Sequence, residues 1–309
     1  MRKNPGFAAA LLIMALVGLL GVVCWAQDGQ ALVAVYPSGQ TFASIQGAID
    51  AANAYDTIVI CEGTYHENLV IGQPLTLIGL DEVLVIPVDG ALPTILIEDT
   101  HDVTIRSIGI EDSDVGIKIS QSSVTIADCH FEAASAGVEF IGFDSVAARI
   151  EGCAFRGDMS GIKSIGEGSL DIAHCEFKGI GYGAFLMGTT FVTIYDCLFD
   201  LCVSGVGMAG TVSATLIKNR IENPVLYGIQ AVGVPFDVPY GSLTLVSNTI
   251  RNSAQWGISF CNIAAPFKLT FEGVVKGFDN AILGRNGYGP LCPTDYEWPD
   301  GLFSEVERF

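Results

Sequence analysis

An eight-residue phrase that returns about every two dozen residues constrains this chain more than any other feature. Its copies are Val103–Ile110, Val124–Phe131, Ala148–Phe155, Leu170–Phe177, Val192–Phe199, Ala214–Ile221 and Leu243–Ile250, with starts 21, 24, 22, 22, 22 and 29 residues apart. Positions one and three are apolar and position two is polar, the period-two pattern of a half-buried strand. Position six reads Ile108, Cys129, Cys153, Cys175, Cys197, Asn219 and Asn248; position eight reads Ile110, Phe131, Phe155, Phe177, Phe199, Ile221 and Ile250. Positions three and six cannot both face inward on one straight strand, so the chain must turn between them. Such a repeat is one coil of a parallel β-solenoid. Coils stacked at the strand spacing of ~4.8 Å set like residues on like. Inner stacks of phenylalanine and of cysteine are therefore expected, the latter continued by Asn219 and Asn248.

A second signal follows each phrase: Gly116-Ile117, Gly137-Val138, Gly161-Ile162, Gly183-Ala184, Gly205-Val206, Gly228-Ile229 and Gly257-Ile258. The glycine is expected to supply unusual backbone angles at a corner, and the apolar residue to open the next inward strand. Helical patterns between strands, which an alternating α/β fold requires, are missing. The expected fold is all-β, a right-handed parallel β-helix with a short N-terminal capping helix.

Arg2 and Lys3 precede an apolar run from Phe7 to Val23, and Cys24-Trp25-Ala26 follows. Residues 1–26 are thus an expected export signal cleaved before Gln27; a retained membrane anchor is the alternative, since the run is nearly long enough to span. Residues 27–54 form an expected cap, in which Thr41–Ala52 reads as an amphipathic helix with Thr41 as N-cap. A cap is needed because an open solenoid end templates aggregation. Residues 55–284 carry the coils, and residues 285–309 lose the repeat and are expected to close the far end. A secreted, periplasmic or cell-surface monomer is implied.

The formal charge is −19, or −21 once Arg2 and Lys3 are removed. Such a surface argues against nucleic acid and, after signal removal, against anionic membranes. It is compatible with cations such as calcium, but no ligand set is assignable and no cofactor is expected. His130 and His174 fall in different columns two coils apart, ~10 Å along the axis, too far for one metal with ~2 Å bonds. No metal site is expected.

Three segments carry a family likeness: Thr41–Ala52, then Asp56–Glu67 with Gly63-Thr-Tyr65-His-Glu67, then Leu75-Thr-Leu-Ile-Gly79. They resemble the first coil of the pectin-lyase-like superfamily of right-handed parallel β-helix proteins, and among these the bacterial exported, NosD-like branch. The resemblance implies the fold. It does not imply one activity, because lyases, hydrolases, esterases, epimerases and adhesins share it. The paired carboxylates and basic residues of the pectin-active members have no counterparts in this chain.

Asp99-Thr-His101-Asp102 is the string closest to catalysis: it resembles the Asp-Pro-His-Asp motif of mannuronan epimerases, without the proline. A histidine between carboxylates suits acid–base work; a polar corner before Val103 is the plainer reading. Cys129, Cys153, Cys175 and Cys197 read as buried hydrophobes, and Cys261 with Cys292 as a disulfide tying down the tail. Tyr182, Tyr227 and Trp256, with Ser204 between, precede corner glycines and would form an aromatic track for sugar rings if they face solvent. Across neighbouring coils, Arg149 is expected to pair with Asp171 and Lys218 with Asp196, exposed pairs worth ~0.2–1 kcal/mol.

These features point to a non-catalytic envelope or extracellular binding protein for polysaccharide. The alternatives are a polysaccharide lyase, hydrolase or epimerase, and a structural surface protein or adhesin. A convergent groove with two or more carboxylates and a basic residue favours the enzyme; an exposed aromatic stripe without it favours binding; a uniform acidic surface with neither favours the structural role.

Overall fold

The computed structural model describes residues 32–157, 159–232, 241–260, 274–284, 289–292 and 298–307. The expected leader and Cys261 lie outside the described residues. The chain is a β-solenoid of about 9 turns.

Each phrase opens with a strand over positions one to four. Its neighbours are the same positions of the coils on either side: Thr104, Thr125, Arg149, Asp171, Thr193, Thr215 and Thr244 run in parallel register. The turn required between positions three and six is one left-handed residue at position five. Asp128, His174, Asp196 and Lys218 have φ of 55°, 56°, 50° and 56°. Outside glycine this conformation costs ~1–2 kcal/mol, a cost offset by the burial of positions six and eight that it permits. Short strands over positions seven to nine follow, such as Glu176–Lys178 and Leu198–Asp200. A third strand runs through the corner glycine, as in Ser204–Ala209 and Tyr227–Val232. Three parallel faces therefore enclose one core.

Phe131, Phe155, Phe177 and Phe199 are buried and stack nearly parallel at centroid distances of 4.9, 4.8 and 4.6 Å. This matches the strand spacing, so register alone aligns the rings. The corner glycines do not act as expected: none between Gly116 and Gly257 is among the residues of positive φ. They are there for space. A Cβ on Gly161 would stand 2.5 Å from Phe177 Cδ1, and one on Gly228 would stand 2.5 Å from Ile250 Cγ2. The position-eight side chain of the following coil fills the room that glycine leaves.

Position six forms a ladder of backbone N–H donors and side-chain acceptors. Cys175 N–H donates to Cys197 Sγ (3.4 Å), Cys197 N–H to Asn219 Oδ1 (3.0 Å) and Asn219 N–H to Asn248 Oδ1 (3.0 Å). The asparagine run has a third member: Asn248 N–H donates to Asn280 Oδ1 at 2.9 Å. Cys129, Cys153, Cys175 and Cys197 are buried free thiols. Burial pushes the Cys129 and Cys153 thiols well up.

At the N-terminal end the helix α1 spans Ile45–Ala51, and Ser44 caps it, its Oγ accepting from Gly47 N–H at 3.2 Å. Thr41 is instead exposed in the strand Gln40–Phe42, which pairs antiparallel with Val33–Tyr36. Strand pairing there stops the helix from starting earlier. Glu67 completes the cap: Oε1 accepts from Ile45 N–H (2.7 Å) and Oε2 from Gln46 N–H (2.9 Å). Tyr65 is buried and donates to Cys61 O at 2.8 Å. Burial, aided by the Glu67 charge, pushes its hydroxyl up to about 12. The Gly63–Glu67 motif thus fastens the helix to the first coil. Cys61 is disulfide-bonded, and its partner is none of Cys129, Cys153, Cys175, Cys197 and Cys202, which are the free cysteines among the described residues.

The ladder runs past Gly284. Gly289–Cys292 pairs with Trp256–Ser259, and Phe303–Val306 with Asn280–Leu283. Leu302 is fully buried, and the Trp298 ring packs on Phe260 at 5.0 Å.

Candidate functional site

Alternation places position two and the residue before position one, here position zero, on one outward face. Between Asp102 and Asp171 the position-zero residues are short: Asp102, Ser123, Ala147 and Ser169. Position two adds Thr104, Thr125, Arg149 and Asp171. These side chains line an open groove of about 340 Å³. It crosses four successive coils in register, so it runs along the solenoid axis for ~14 Å at the strand spacing.

Arg149 does not cross to Asp171. It folds along its own strand, where Nη2 and Nε lie 2.9 and 3.1 Å from Glu151 Oε2. Positions two and four share a face, and the long arginine stem spans them. Asp171, opposite Arg149 in the ladder, takes no ion pair among the described residues. Lys218 and Asp196 do not pair either. Asp196 meets His174 Nδ1 at 3.3 Å, while the Lys218 ammonium lies 5.6 Å from the Tyr195 ring centroid.

The Asp99–Asp102 string is a corner. Asp99 and Asp102 are left-handed (φ 51° and 54°) and Thr100 between them is buried. His101 Nδ1 lies 3.0 Å from Asp102 Oδ2, with both side chains exposed. Asp102 reaches the groove; Asp99 and His101 are not among its lining residues.

The aromatic track does not form. Tyr227 is fully buried at 1% exposure and offers no ring to a ligand. Tyr182 is half-buried and tilted against Phe185 at 4.9 Å; a Cβ on Gly207 would meet its ring at 2.7 Å. Burial pushes the Tyr182 hydroxyl up. Trp256 is half-buried beside Tyr227 in the ladder. Residues before a corner glycine turn towards neighbouring coils, a direction that spacing alone does not reveal. Cys292 lies on the strand that pairs with Trp256–Ser259. Asn219 and Asn248 sit in the core ladder, away from the groove.

Elsewhere, Glu139 is buried on the third face between two lysines, with Oε1 2.7 Å from Lys163 Nζ and Oε2 3.9 Å from Lys118 Nζ. The three residues are in register, so this is a cross-coil clamp with its charge satisfied.

The groove holds two carboxylates and an arginine, but they do not converge. Asp102 and Asp171 are three coils apart, ~14 Å along the axis. Glycosidase carboxylate pairs stand ~5 to ~9.5 Å apart. The floor is instead a row of hydroxyls with an arginine at its centre, suited to hydrogen bonding along an extended ligand.

Residues 136–287 match the family model described as right handed beta helix region. No curated protein matches the chain. Among solved structures, the chain is similar to the catalytic domain of a GH87 alpha-1,3-glucanase in complex with tetrasaccharides, with TM-score 0.54 and 11% identity over 85% of this chain and 66% of that one. It is also similar to PfbA, a surface adhesin of Streptococcus pneumoniae, with TM-score 0.56 and 13% identity over 80% of this chain and 77% of that one. The chain spans just under two thirds of the glucanase domain, and at these identities the likeness is one of fold. The chain is a right-handed parallel β-helix.

Proposed function

We propose that this is an exported binding protein that holds a polysaccharide along the axial groove without cleaving it. One observation carries the reading: the groove between Asp102 and Asp171 presents hydroxyl and charged side chains in register over four coils, while its carboxylates stand too far apart for an acid–base pair. An axial row of donors and acceptors at the strand spacing matches a ligand that is itself long and hydroxyl-rich. A glucanase with bound tetrasaccharides and a surface adhesin on the same fold are consistent with this use of the solenoid. Export, and kinship with the NosD-like branch, are part of the proposal and rest on the sequence signals alone.

The test is a polysaccharide panel, with and without calcium, followed for both retention and release of new reducing ends. Retention without release, weakened by Arg149→Ala and Asp171→Asn, supports the reading. Release of product would make the protein an enzyme of the same fold, and silence across the panel would favour a structural role.

A further inference from the structure

We propose that the glycan is uncharged, and that it lies between two aromatic platforms, Tyr55 and Phe191, one beyond each end of the groove. This rests on the binding reading above and goes further, to ligand class and length.

The position-zero column is short and mostly polar where it lines the groove. One coil beyond, Ser169 is in register with Phe191, so a benzyl ring replaces a hydroxymethyl at the next rung. Phe191 is 65% exposed. Its neighbour on the same face, Tyr195, is engaged already, edge-on to His174 at 5.4 Å and beneath Lys218 at 5.6 Å. At the other end the same column runs from Asp102 through Pro74 to Tyr55, whose N–H donates to Pro74 O at 2.6 Å. Tyr55 is 66% exposed and its ring lies 6.3 Å from that of His101. An isolated exposed aromatic needs no explanation. Two of them on one column, bracketing a polar groove, fit a ligand with alternating C–H faces and hydroxyl edges. Six coil spacings separate the platforms, ~29 Å, the reach of several sugar units.

Charge excludes the acidic glycans. Around the groove, Arg149 is neutralised by Glu151, and Arg106 Nη1 lies 3.7 Å from Asp128 Oδ2. Among the described residues Asp171 takes no ion pair, and the Asp102 carboxylate contacts only the His101 imidazole, at 3.0 Å. Both remain as carboxylates turned to the groove, in a chain of net charge −19. A polyuronate would meet like charge along its whole length, whereas the hydroxyls of a neutral hexose polymer can donate to both carboxylates.

The experiment is calorimetric titration of the full chain with neutral gluco- and manno-oligosaccharides of increasing length, and with oligogalacturonates of matched length. Affinity is expected to climb with neutral chain length until both platforms are spanned, with no binding of oligogalacturonates. Phe191→Ala and Tyr55→Ala should each weaken the longest neutral ligand about tenfold, and Phe191→Tyr should not. Preference for oligogalacturonates, or indifference to both alanine variants, would overturn this inference while leaving the binding reading intact. No binding of either class would overturn both.

Discussion

The Cδ1 atom of Phe177 lies 2.5 Å from where a Cβ on Gly161 would stand, so each corner glycine is locked to the side chain one coil further on. Gly161→Ala should therefore overpack the core and destabilise the protein by ~1–3 kcal/mol. Gly72 is a control, because a Cβ there meets nothing within 4 Å; Gly72→Ala should be neutral or mildly stabilising. Urea unfolding of the two variants checks this, and equal effects would contradict it.

The position-six ladder makes Asn248 a bridge. Its Oδ1 accepts from Asn219 N–H at 3.0 Å and its Nδ2 donates to Leu216 O at 2.8 Å. Asn248→Ala orphans both groups in the core, at ~1–3 kcal/mol each. Asn248→Cys should recover part of the loss, since Cys197 Sγ already fills the same role for Cys175. Comparison of their unfolding midpoints is the check.

Glu67 should govern the cap rather than any chemistry. Glu67→Ala removes both acceptors at the start of α1 and the negative charge there, a loss of ~1–2 kcal/mol. Hydrogen exchange should speed up at Ile45 and Gln46 while the Phe177 coil stays protected.

Buried acids set an alkaline limit. The Cys129 and Cys153 thiols are pushed well above their ordinary 9.0, and Cys202 to about 12, all mainly by burial. A folded-state value raised above the unfolded one leaves stability intact below pH ~9 and removes it as pH rises from there. Each such thiol should contribute a slope of about 1.4 kcal/mol per pH unit. Denaturation between pH 8 and pH 11 should show this fall, and native thiols should resist alkylation over the lower part of that range.

The coil, its inward columns and the turn before position six were legible because each is a periodic property of the sequence. The identity of the turning residue was not: position five is Asp128, Gly152, His174, Asp196 and Lys218, so no residue type marks it. Ser44 was hidden as a cap because its partner in the task, Glu67, is 22 residues from Ile45. The corner glycines were found for the wrong reason, since sequence does not distinguish a need for φ from a need for room. Tyr182 and Tyr227 were misplaced because corner residues lack the alternation that fixes direction on a strand. The groove was half visible: its position-two residues stand in the repeat, but its depth comes from small position-zero residues and from Arg149 turning to Glu151. Phe191 breaks that column, and reading position zero as a column would have found it.

The most direct test of the binding account fills the groove without removing any of its charged groups. Ser123 stands on its floor, its Oγ accepting from the exposed Asp102 N–H at 3.0 Å, and Ser123→Trp should lower the unfolding midpoint only by the loss of that one hydrogen bond. Retention on the glycan that binds the unaltered chain should fall at least about tenfold, with no reducing ends released by either protein. Undiminished retention by a stable Ser123→Trp variant would contradict the account.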